Sequence, residues 1–191
     1  MNLANALTAS RLVLAPLFFA IYLWGQAVGL SDAAVAILLI ILFAVMELSD
    51  LFDGMAARSS KTVSAFGKLF DPFADVVARL TYFLCFAHAG IMPLWMLLVI
   101  LNREFGILFL RQLMAVKGVA MGARPGGKTK AVLYASAGGL SLLYLALPAF
   151  GFALPSWALV AVRLVYALAV ALSVGSFIDY IIQFRKLNAS K

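Results

Sequence analysis

Residues 33–49 read AAVAILLIILFAVMELS, and the chain continues over residues 50–75 as DLFDGMAARSSKTVSAFGKLFDPFAD. The first of these stretches contains a single charged residue, Glu47. A helix that crosses a bilayer needs about 20 consecutive, mostly apolar residues. The quoted region therefore predicts a transmembrane helix that leads directly into a segment rich in aspartate.

The whole chain has the composition of a membrane protein. Of its 191 residues, 65% are hydrophobic and 12% are charged, whereas about 25% of the residues in a soluble domain are charged. This composition excludes a disordered chain, a coiled coil and a typical water-soluble enzyme. The single cysteine, Cys85, excludes an internal disulfide, and the single histidine, His88, excludes a multi-histidine metal site within one chain.

Six apolar stretches predict an all-α integral membrane protein with six transmembrane helices in one domain over residues 1–191. The predicted helices cover residues 8–25, 33–58, 69–88, 94–116, 130–147 and 157–184. A short basic turn is predicted over residues 59–66. Pro72 is expected to be harmless if the third helix begins near Leu69, and to kink that helix if it begins earlier.

The basic residues predict how these helices are oriented. Three connections contain no lysine or arginine: residues 25–32, 89–93 and 148–156. The basic residues lie instead on the opposite side: Arg58, Lys61, Lys68, Lys117, Arg124, Lys128, Lys130, Arg185, Lys186 and Lys191. Because positive charge accumulates on the cytoplasmic side of a membrane, both termini are predicted to be cytoplasmic.

Two further observations agree with an inner-membrane protein of this orientation. Trp24, Trp95 and Trp157 fall at the other ends of their helices, where interfacial aromatic residues belong. The net charge of +7 is explained by the charge bias and by attraction to anionic lipid headgroups. The charge therefore does not indicate a nucleic-acid partner.

Helical spacing gathers the aspartate-rich segment into two stripes. The first stripe has residues at positions separated by three, four, seven and eight from its first member, which places them on one helix face: Asp50, Asp53, Gly54, Ala57 and Arg58. The second stripe has a spacing of four throughout: Gly67, Asp71, Asp75 and Arg79. Two antiparallel neighbouring helices would direct all four aspartates at one point on the cytoplasmic side.

Four carboxylates at close range repel one another unless cations lie between them. Ligation by carboxylates alone suits hard ions such as Mg²⁺ or Mn²⁺, which usually also bind a substrate phosphate. Ionisable groups at membrane depth are energetically expensive, so their default interpretation is functional. The two stripes therefore predict a divalent-metal site.

At these residues the sequence resembles the CDP-alcohol phosphatidyltransferase family, whose motif is Asp-x2-Asp-Gly-x2-Ala-Arg-x8-Gly-x3-Asp-x3-Asp. All eight specified positions match, and so does every spacing. The resemblance implies a metal-dependent reaction in which a CDP-linked lipid donates its phosphatidyl group to an alcohol and CMP leaves. It also implies direct displacement, without a covalent enzyme intermediate, and suggests a homodimer.

The resemblance assigns roles to the matching positions. Two divalent ions would be surrounded by Asp50, Asp53, Asp71 and Asp75. Asp75 would also be the base that removes the proton of the acceptor hydroxyl. The CDP group would be bound by the small and charged residues of the motif: Asp53, Gly54, Ala57, Arg58 and Gly67.

Basic residues later in the chain predict the class of acceptor. Arg103 and Arg111 share one face of the fourth helix, and the loop after it ends with Lys128 and Lys130. Arginine binds phosphate through its planar fork. These residues favour a phosphorylated acceptor over serine or choline.

The order of these basic residues resembles the branch of the family whose acceptor is glycerol 3-phosphate, with CDP-diacylglycerol as donor. The opening of the chain, including Thr8 and Arg11, resembles that branch as well. The branch often has lysine directly after the last aspartate, whereas this chain has Val76. Arg79, one helical turn later, is the candidate replacement.

Alternative interpretations stand beside these predictions. Arg103 and Glu104 could each pair with other helices and hold the bundle together, and Lys128 and Lys130 could serve only to set the orientation in the membrane. Within the family, the acceptor could instead be inositol phosphate, serine or choline. In another class of protein, a small cation transporter, the aspartates would form an ion path. Arg163 and Asp179 receive no catalytic role.

Overall fold

The computed structural model describes residues 3–59, 65–118 and 125–189, with side chains except at residues 3–7, 50–59, 65–69, 125–128 and 189. Within these ranges the chain forms α-helices and one 3-10 helix, and it contains no β-strand. The helices are α1 (Leu3–Trp24), α2 (Asp32–Ser59), α3 (Ala65–His88), α4 (Leu94–Val116), α5 (Pro125–Ala146) and α6 (Ala158–Ala189), with the 3-10 helix Leu147–Phe150 before α6. The prediction of an all-helical chain is confirmed for these residues.

The helix boundaries differ from the predicted ones except at α4. Helices α1, α3 and α5 begin four or five residues earlier than predicted, and α6 ends five residues later. The prediction followed the apolar stretches, but a helix continues through polar residues where nothing interrupts its hydrogen bonds. Of the predicted turn over residues 59–66, Ser59 and residues 65–66 are helical, and residues 60–64 lie outside the described residues.

Pro72 lies inside α3, because this helix already begins at Ala65. A proline has no N–H with which to bond the carbonyl four residues earlier. The helix therefore continues through a position at which one main-chain hydrogen bond is missing, three residues before Asp75.

The six helices pack as two layers of three. Helix α1 packs against α2 and α3, α6 packs against α4 and α5, and the layers meet where α3 contacts α4 and α2 contacts α5. Successive helices are antiparallel, so the bundle has two ends. We call the end with Thr8 and Asp71 the aspartate end, and the end with Trp24, Trp95 and Trp157 the tryptophan end.

Aromatic rings and glycines form the contact between the layers. Phe83 packs edge-to-face against Tyr134 and Tyr166, with ring centroids 5.6 and 5.4 Å apart. A Cβ added at Gly138 on α5 would lie 3.0 Å from the ring of Phe43 on α2. Small residues of this kind let neighbouring membrane helices approach closely.

The outer surface of the bundle is apolar. On α2 and α6, exposed apolar residues recur every three or four positions: Ile37, Ile41, Val45, Leu48, Val160, Leu164, Leu168 and Leu172. In the described part of the chain, three helical segments are long and apolar enough to cross a membrane: Asp32–Ser49, Thr129–Phe150 and Ala158–Asn188. Helices α3 and α4 carry charged residues in their interior, and these lower their hydropathy.

Candidate active site

Helix α2 continues through the aspartate motif, so the spacing argument for the first stripe applies to an actual helix. Its predicted site residues lie in the last turns of α2, and Gly67 lies in the first turn of α3. The side chains of these residues lie outside the described part: Asp50, Asp53, Gly54, Ala57, Arg58 and Gly67. Their predicted contacts with metal and CDP remain predictions.

Asp71 is held by a residue from the start of the chain. The Thr8 hydroxyl donates a hydrogen bond of 2.6 Å to Asp71 Oδ1, and Thr8 is fully buried. Arg11, one turn later on α1, is buried as well. A hydrogen bond that orients a metal-ligating carboxylate is a common feature around metal sites, so Thr8 is suited to orient Asp71.

Asp75 is paired with Arg79, one turn further along α3. Arg79 donates two hydrogen bonds, of 2.8 and 3.0 Å, one to each carboxylate oxygen. Arg79 is buried, whereas the Asp75 side chain keeps 28% of its surface exposed. A two-bond pair of this kind fixes the carboxylate plane, so Asp75 is oriented and still reachable from outside the bundle.

A second group of charges joins α4, α5 and α6. Glu104 Oε1 accepts a hydrogen bond of 2.9 Å from Arg103 and one of 2.5 Å from Lys130. Arg103 also donates to the Ser176 hydroxyl, at 2.7 Å. Arg103, Glu104 and Lys130 are all buried. Lys130 therefore does not act only as a surface charge that sets membrane orientation.

The alternative that Arg103 and Glu104 hold the bundle together is confirmed in part. They bond to each other, and each also bonds to a further helix: Arg103 to Ser176 on α6 and Glu104 to Lys130 on α5. Burying charges costs several kcal/mol per ion even when they are paired. A stabilising role alone is therefore a weak explanation for three buried charges.

Tyr134 contacts both groups of charges, and the sequence argument did not identify it. Its ring centroid lies 5.6 Å from the Arg79 Cζ and 4.6 Å from the Lys130 Nζ. Its hydroxyl donates a 2.6 Å hydrogen bond to Ser173 on α6. The available signal was its position four residues after Lys130, which places both on one face of α5.

Arg103 and Arg111 both face α6, in agreement with their predicted common face. Arg111 donates a 2.8 Å hydrogen bond to the Tyr180 hydroxyl, and its guanidinium lies 5.4 Å from the centre of that ring. The side chain of Lys128 lies outside the described part. The structure thus brings Asp75, Arg79, Arg103 and Lys130 into one connected arrangement, with Arg111 two turns away on α4.

The buried guanidinium N–H groups of this arrangement are suited to binding an anion. The carboxylates of Glu47, Asp75 and Glu104 lie near these cations, so the free N–H groups rather than an excess of charge support this interpretation. Among the described residues, the buried Nε atoms of Arg79, Arg103 and Arg111 have no hydrogen-bond partner. Buried donors of this kind are unusual and call for a partner such as water or a ligand.

Two of the four predicted metal-ligating carboxylates are described, and their chemistry suits hard divalent ions. Of the four predicted metal ligands, Asp71 and Asp75 are described, and both present carboxylate oxygens, which such ions prefer. No cluster of three or more His, Cys, Asp or Glu side chains occurs among the residues whose side chains are described. Asp50 and Asp53 lie outside that set.

Comparisons with known proteins agree with the motif. The family described as CDP-alcohol phosphatidyltransferase matches residues 1–175 of the chain. A relative from Treponema pallidum (strain Nichols) is 42% identical over 96% of this chain and 89% of its own length. It is named CDP-diacylglycerol–glycerol-3-phosphate 3-phosphatidyltransferase.

Two further relatives have corresponding names. A probable phosphatidylglycerophosphate synthase from Mycobacterium tuberculosis (strain ATCC 25618 / H37Rv) is 34% identical over 94% of this chain and 80% of its own length. A CDP-diacylglycerol–glycerol-3-phosphate 3-phosphatidyltransferase from Bacillus subtilis (strain 168) is 36% identical over 68% of this chain and 70% of its own length. The similarity thus extends well beyond the aspartate motif.

Proposed function

The chain belongs to the CDP-alcohol phosphatidyltransferase family, and on this premise we propose that it transfers a phosphatidyl group from CDP-diacylglycerol to glycerol 3-phosphate, with release of CMP. Family membership identifies an enzyme of lipid synthesis rather than a cation transporter. The names of the relatives support both the donor and the acceptor.

The observation that carries the choice of acceptor is the buried positive group beside Asp75. Arg103 and Lys130 are buried and held by Glu104, and Arg79 lies beside the same tyrosine ring as Lys130. Choline is a cation and offers no anionic group to these side chains, and serine offers only a carboxylate whose charge its own ammonium group offsets. The phosphate of glycerol 3-phosphate is an anionic group, and arginine and lysine are the usual protein groups that bind it.

The reaction forms one bond and breaks one bond. The acceptor hydroxyl oxygen attacks the phosphorus of the phosphatidyl group, and the bond from that phosphorus to the CMP oxygen breaks. Asp75 takes the proton of the hydroxyl, a role that suits a carboxylate fixed in orientation by Arg79 and reachable from outside. Arg103, Arg111, Lys128 and Lys130 bind the acceptor phosphate.

Two divalent ions, Mg²⁺ or Mn²⁺, complete the proposed site. Asp50, Asp53, Asp71 and Asp75 would hold them, and Thr8 would orient Asp71. Bound ions would offset the negative charge of the diphosphate. The remaining motif residues, Gly54, Ala57, Arg58 and Gly67, would bind the CDP group together with Asp53.

We further propose that the whole chain is a single membrane domain with six spans and cytoplasmic termini, located in the inner membrane with the active site facing the cytoplasm. The apolar outer surface supports insertion. The distribution of lysine and arginine supports the orientation. Charged residues in the interior of α3 and α4 are paired inside the bundle, which is compatible with spans that carry charge.

The protein is proposed to act as a homodimer. Helix α4 has an exposed apolar face, which offers a surface for a second copy: Leu94, Leu98, Leu101, Phe105 and Phe109. Light scattering on the detergent-solubilised protein would give the mass of a dimer. The mass of a monomer at all concentrations would contradict this part of the proposal.

Release of CMP tests the proposed reaction. The purified protein is incubated with CDP-diacylglycerol and one acceptor at a time: glycerol 3-phosphate, inositol phosphate, serine or choline. We expect turnover with glycerol 3-phosphate and Mg²⁺ or Mn²⁺, and its loss when a chelator is added. Turnover with serine, choline or inositol phosphate and none with glycerol 3-phosphate would overturn the assignment of the acceptor.

A further inference from the structure

Tyr134 is the common neighbour of two separate ion pairs. Its ring lies 5.6 Å from the guanidinium of Arg79, which is paired with Asp75. The same ring lies 4.6 Å from the ammonium of Lys130, which is paired with Glu104. The four charged residues come from three helices, α3, α4 and α5, so the ring joins parts of the bundle that are distant in sequence.

The ring itself is held firmly. Tyr134 is fully buried, and its hydroxyl donates a hydrogen bond of 2.6 Å to Ser173 on α6. Phe83 packs against it edge-to-face, with an angle of 86° between the ring planes. Because packing and a hydrogen bond both restrain the ring, its position is a fixed reference for the charges around it.

The electrostatics of the ring explain why two cations lie beside it. Arg79 and Lys130 repel each other, and each is hydrogen-bonded to a different carboxylate: Arg79 to Asp75 and Lys130 to Glu104. The face of an aromatic ring carries negative charge density and attracts cations, more strongly where water is excluded. Tyr134 therefore contacts both cations with one rigid ring, in addition to the attraction that the carboxylates exert.

We propose that Tyr134 is a positioning residue that fixes the distance between the Asp75–Arg79 pair and the group of Lys130, Glu104 and Arg103, and thereby sets the affinity for the acceptor phosphate. The inference rests on the proposed function, which assigns the base to the first pair and the acceptor phosphate to the second group. Tyr134 acts through these side chains and does not itself take part in the reaction.

A fluorination series tests the inference without removing the ring. Tyr134→Phe keeps the ring, and its fluorinated forms, with one, two and three fluorines, reduce the negative charge of the ring face with little change of size. We expect the KM for glycerol 3-phosphate to change little in Tyr134→Phe and to rise stepwise with fluorination, to about tenfold. The KM for CDP-diacylglycerol and the thermal unfolding temperature should stay constant.

Tyr166 provides a matched control in the same bundle. It is fully buried, its hydroxyl bonds to Ser141 and its ring packs against Phe83, as the ring of Tyr134 does. Among the described ring contacts, Tyr166 has no cation beside it, whereas Tyr134 has two. The same series at Tyr166 should leave the KM for glycerol 3-phosphate unchanged.

Two results would overturn the inference. One is a constant KM for glycerol 3-phosphate across the series at Tyr134. The other is a defect in Tyr134→Phe as large as that of the trifluorinated form, because the hydroxyl rather than the ring face would then be responsible. An equal rise in the Tyr166 series would also contradict it, since a purely structural effect would act at both rings.

Binding measured without turnover separates this inference from the proposed reaction. Glycerol 3-phosphate should raise the unfolding temperature of the protein, and fluorination at Tyr134 should reduce that rise. If glycerol 3-phosphate stabilises the protein in this way but no CMP is released, the result supports the positioning role and contradicts the proposed reaction. If glycerol 3-phosphate neither reacts with nor stabilises the unmodified protein, the result contradicts both the positioning role and the proposed reaction.

Discussion

The tryptophan end and the interior of the bundle differ in how their polar side chains are paired. At the tryptophan end, a cavity of about 380 Å³ is lined by apolar residues and by polar residues that bond in pairs near solvent: Tyr22 to His88 Nδ1 at 2.9 Å, and Gln26 to Asp32 at 2.6 Å. In the interior, the charged side chains are buried and paired: Arg79, Arg103, Glu104 and Lys130.

The polar groups of the two regions differ in the free energy that their burial costs on folding. An exposed hydrogen bond replaces bonds to water and changes stability little. A buried ion pair loses the hydration of both charges, and the pairing often does not recover that loss. The concentration of buried charges in the interior is therefore best explained by binding and catalysis, and substitutions in the two regions should differ accordingly.

The largest difference is expected between two identical changes at opposite ends. Asp75→Asn removes the proposed base and should lower the rate of CMP release by about a thousandfold. Asp32→Asn, at the tryptophan end, should leave the rate unchanged. Rates measured with saturating CDP-diacylglycerol and glycerol 3-phosphate provide the comparison. Similar rates for the two variants would remove Asp75 as the base.

The second difference concerns stability. Glu104→Gln leaves Arg103 and Lys130 buried without their carboxylate, and we expect a loss of about 3 kcal/mol in the free energy of unfolding. Gln26→Ala, which removes an exposed hydrogen bond, should cost less than about 0.5 kcal/mol. Unfolding in mixed detergent micelles would measure both.

A double substitution sharpens this test. If the Glu104–Lys130 ion pair explains the loss of stability in Glu104→Gln, then Lys130→Met should destabilise the Glu104→Gln protein less than it destabilises the unmodified protein. Additive effects would show that Glu104 and Lys130 do not interact across α4 and α5.

A smaller effect is expected at the hydrogen bond between α1 and α3. Thr8→Val removes the donor to Asp71, and the Mg²⁺ concentration for half-maximal CMP release should rise about tenfold. Thr8→Ser keeps the hydroxyl and should restore the original requirement. A serine variant as impaired as the valine variant would mean that the methyl group of Thr8, not its hydroxyl, is important.

The smallest effect is expected at His88. His88→Ala removes the hydrogen bond to Tyr22, but His88 is exposed, so the kcat and KM should stay constant and stability should change by less than about 0.5 kcal/mol. Kinetics with both substrates would detect any departure. A clear loss of turnover would show that the cavity at the tryptophan end is coupled to the aspartate end.

The local part of the site could be predicted from the sequence. The spacing of four along α3 placed Asp71, Asp75 and Arg79 on one face, and the pairing of Asp75 with Arg79 agrees with it. Lengths of apolar sequence predicted six helices, which the described residues contain. Both predictions depend only on residues close to one another in the chain.

Contacts between helices could not be predicted in this way. Lys130 and Glu104 are 26 residues apart, and Tyr134 and Ser173 are 39 apart. Their contacts depend on which helices pack together and at what angle, and hydrophobic periodicity does not contain that information. The starts of α1, α3 and α5 and the end of α6 were also missed, since polar residues near the membrane surface continue a helix as readily as they end it.

Helix α6 has a consequence for how the protein is made. Three hydroxyl groups on this helix, those of Ser173, Ser176 and Tyr180, bond to Tyr134, Arg103 and Arg111. Of the six helices, the ribosome synthesises α6 after α1–α5. A nascent chain that has inserted only α1–α5 therefore lacks all three hydroxyl partners, so the proposed phosphate-binding side acquires its final arrangement only after α6 has inserted.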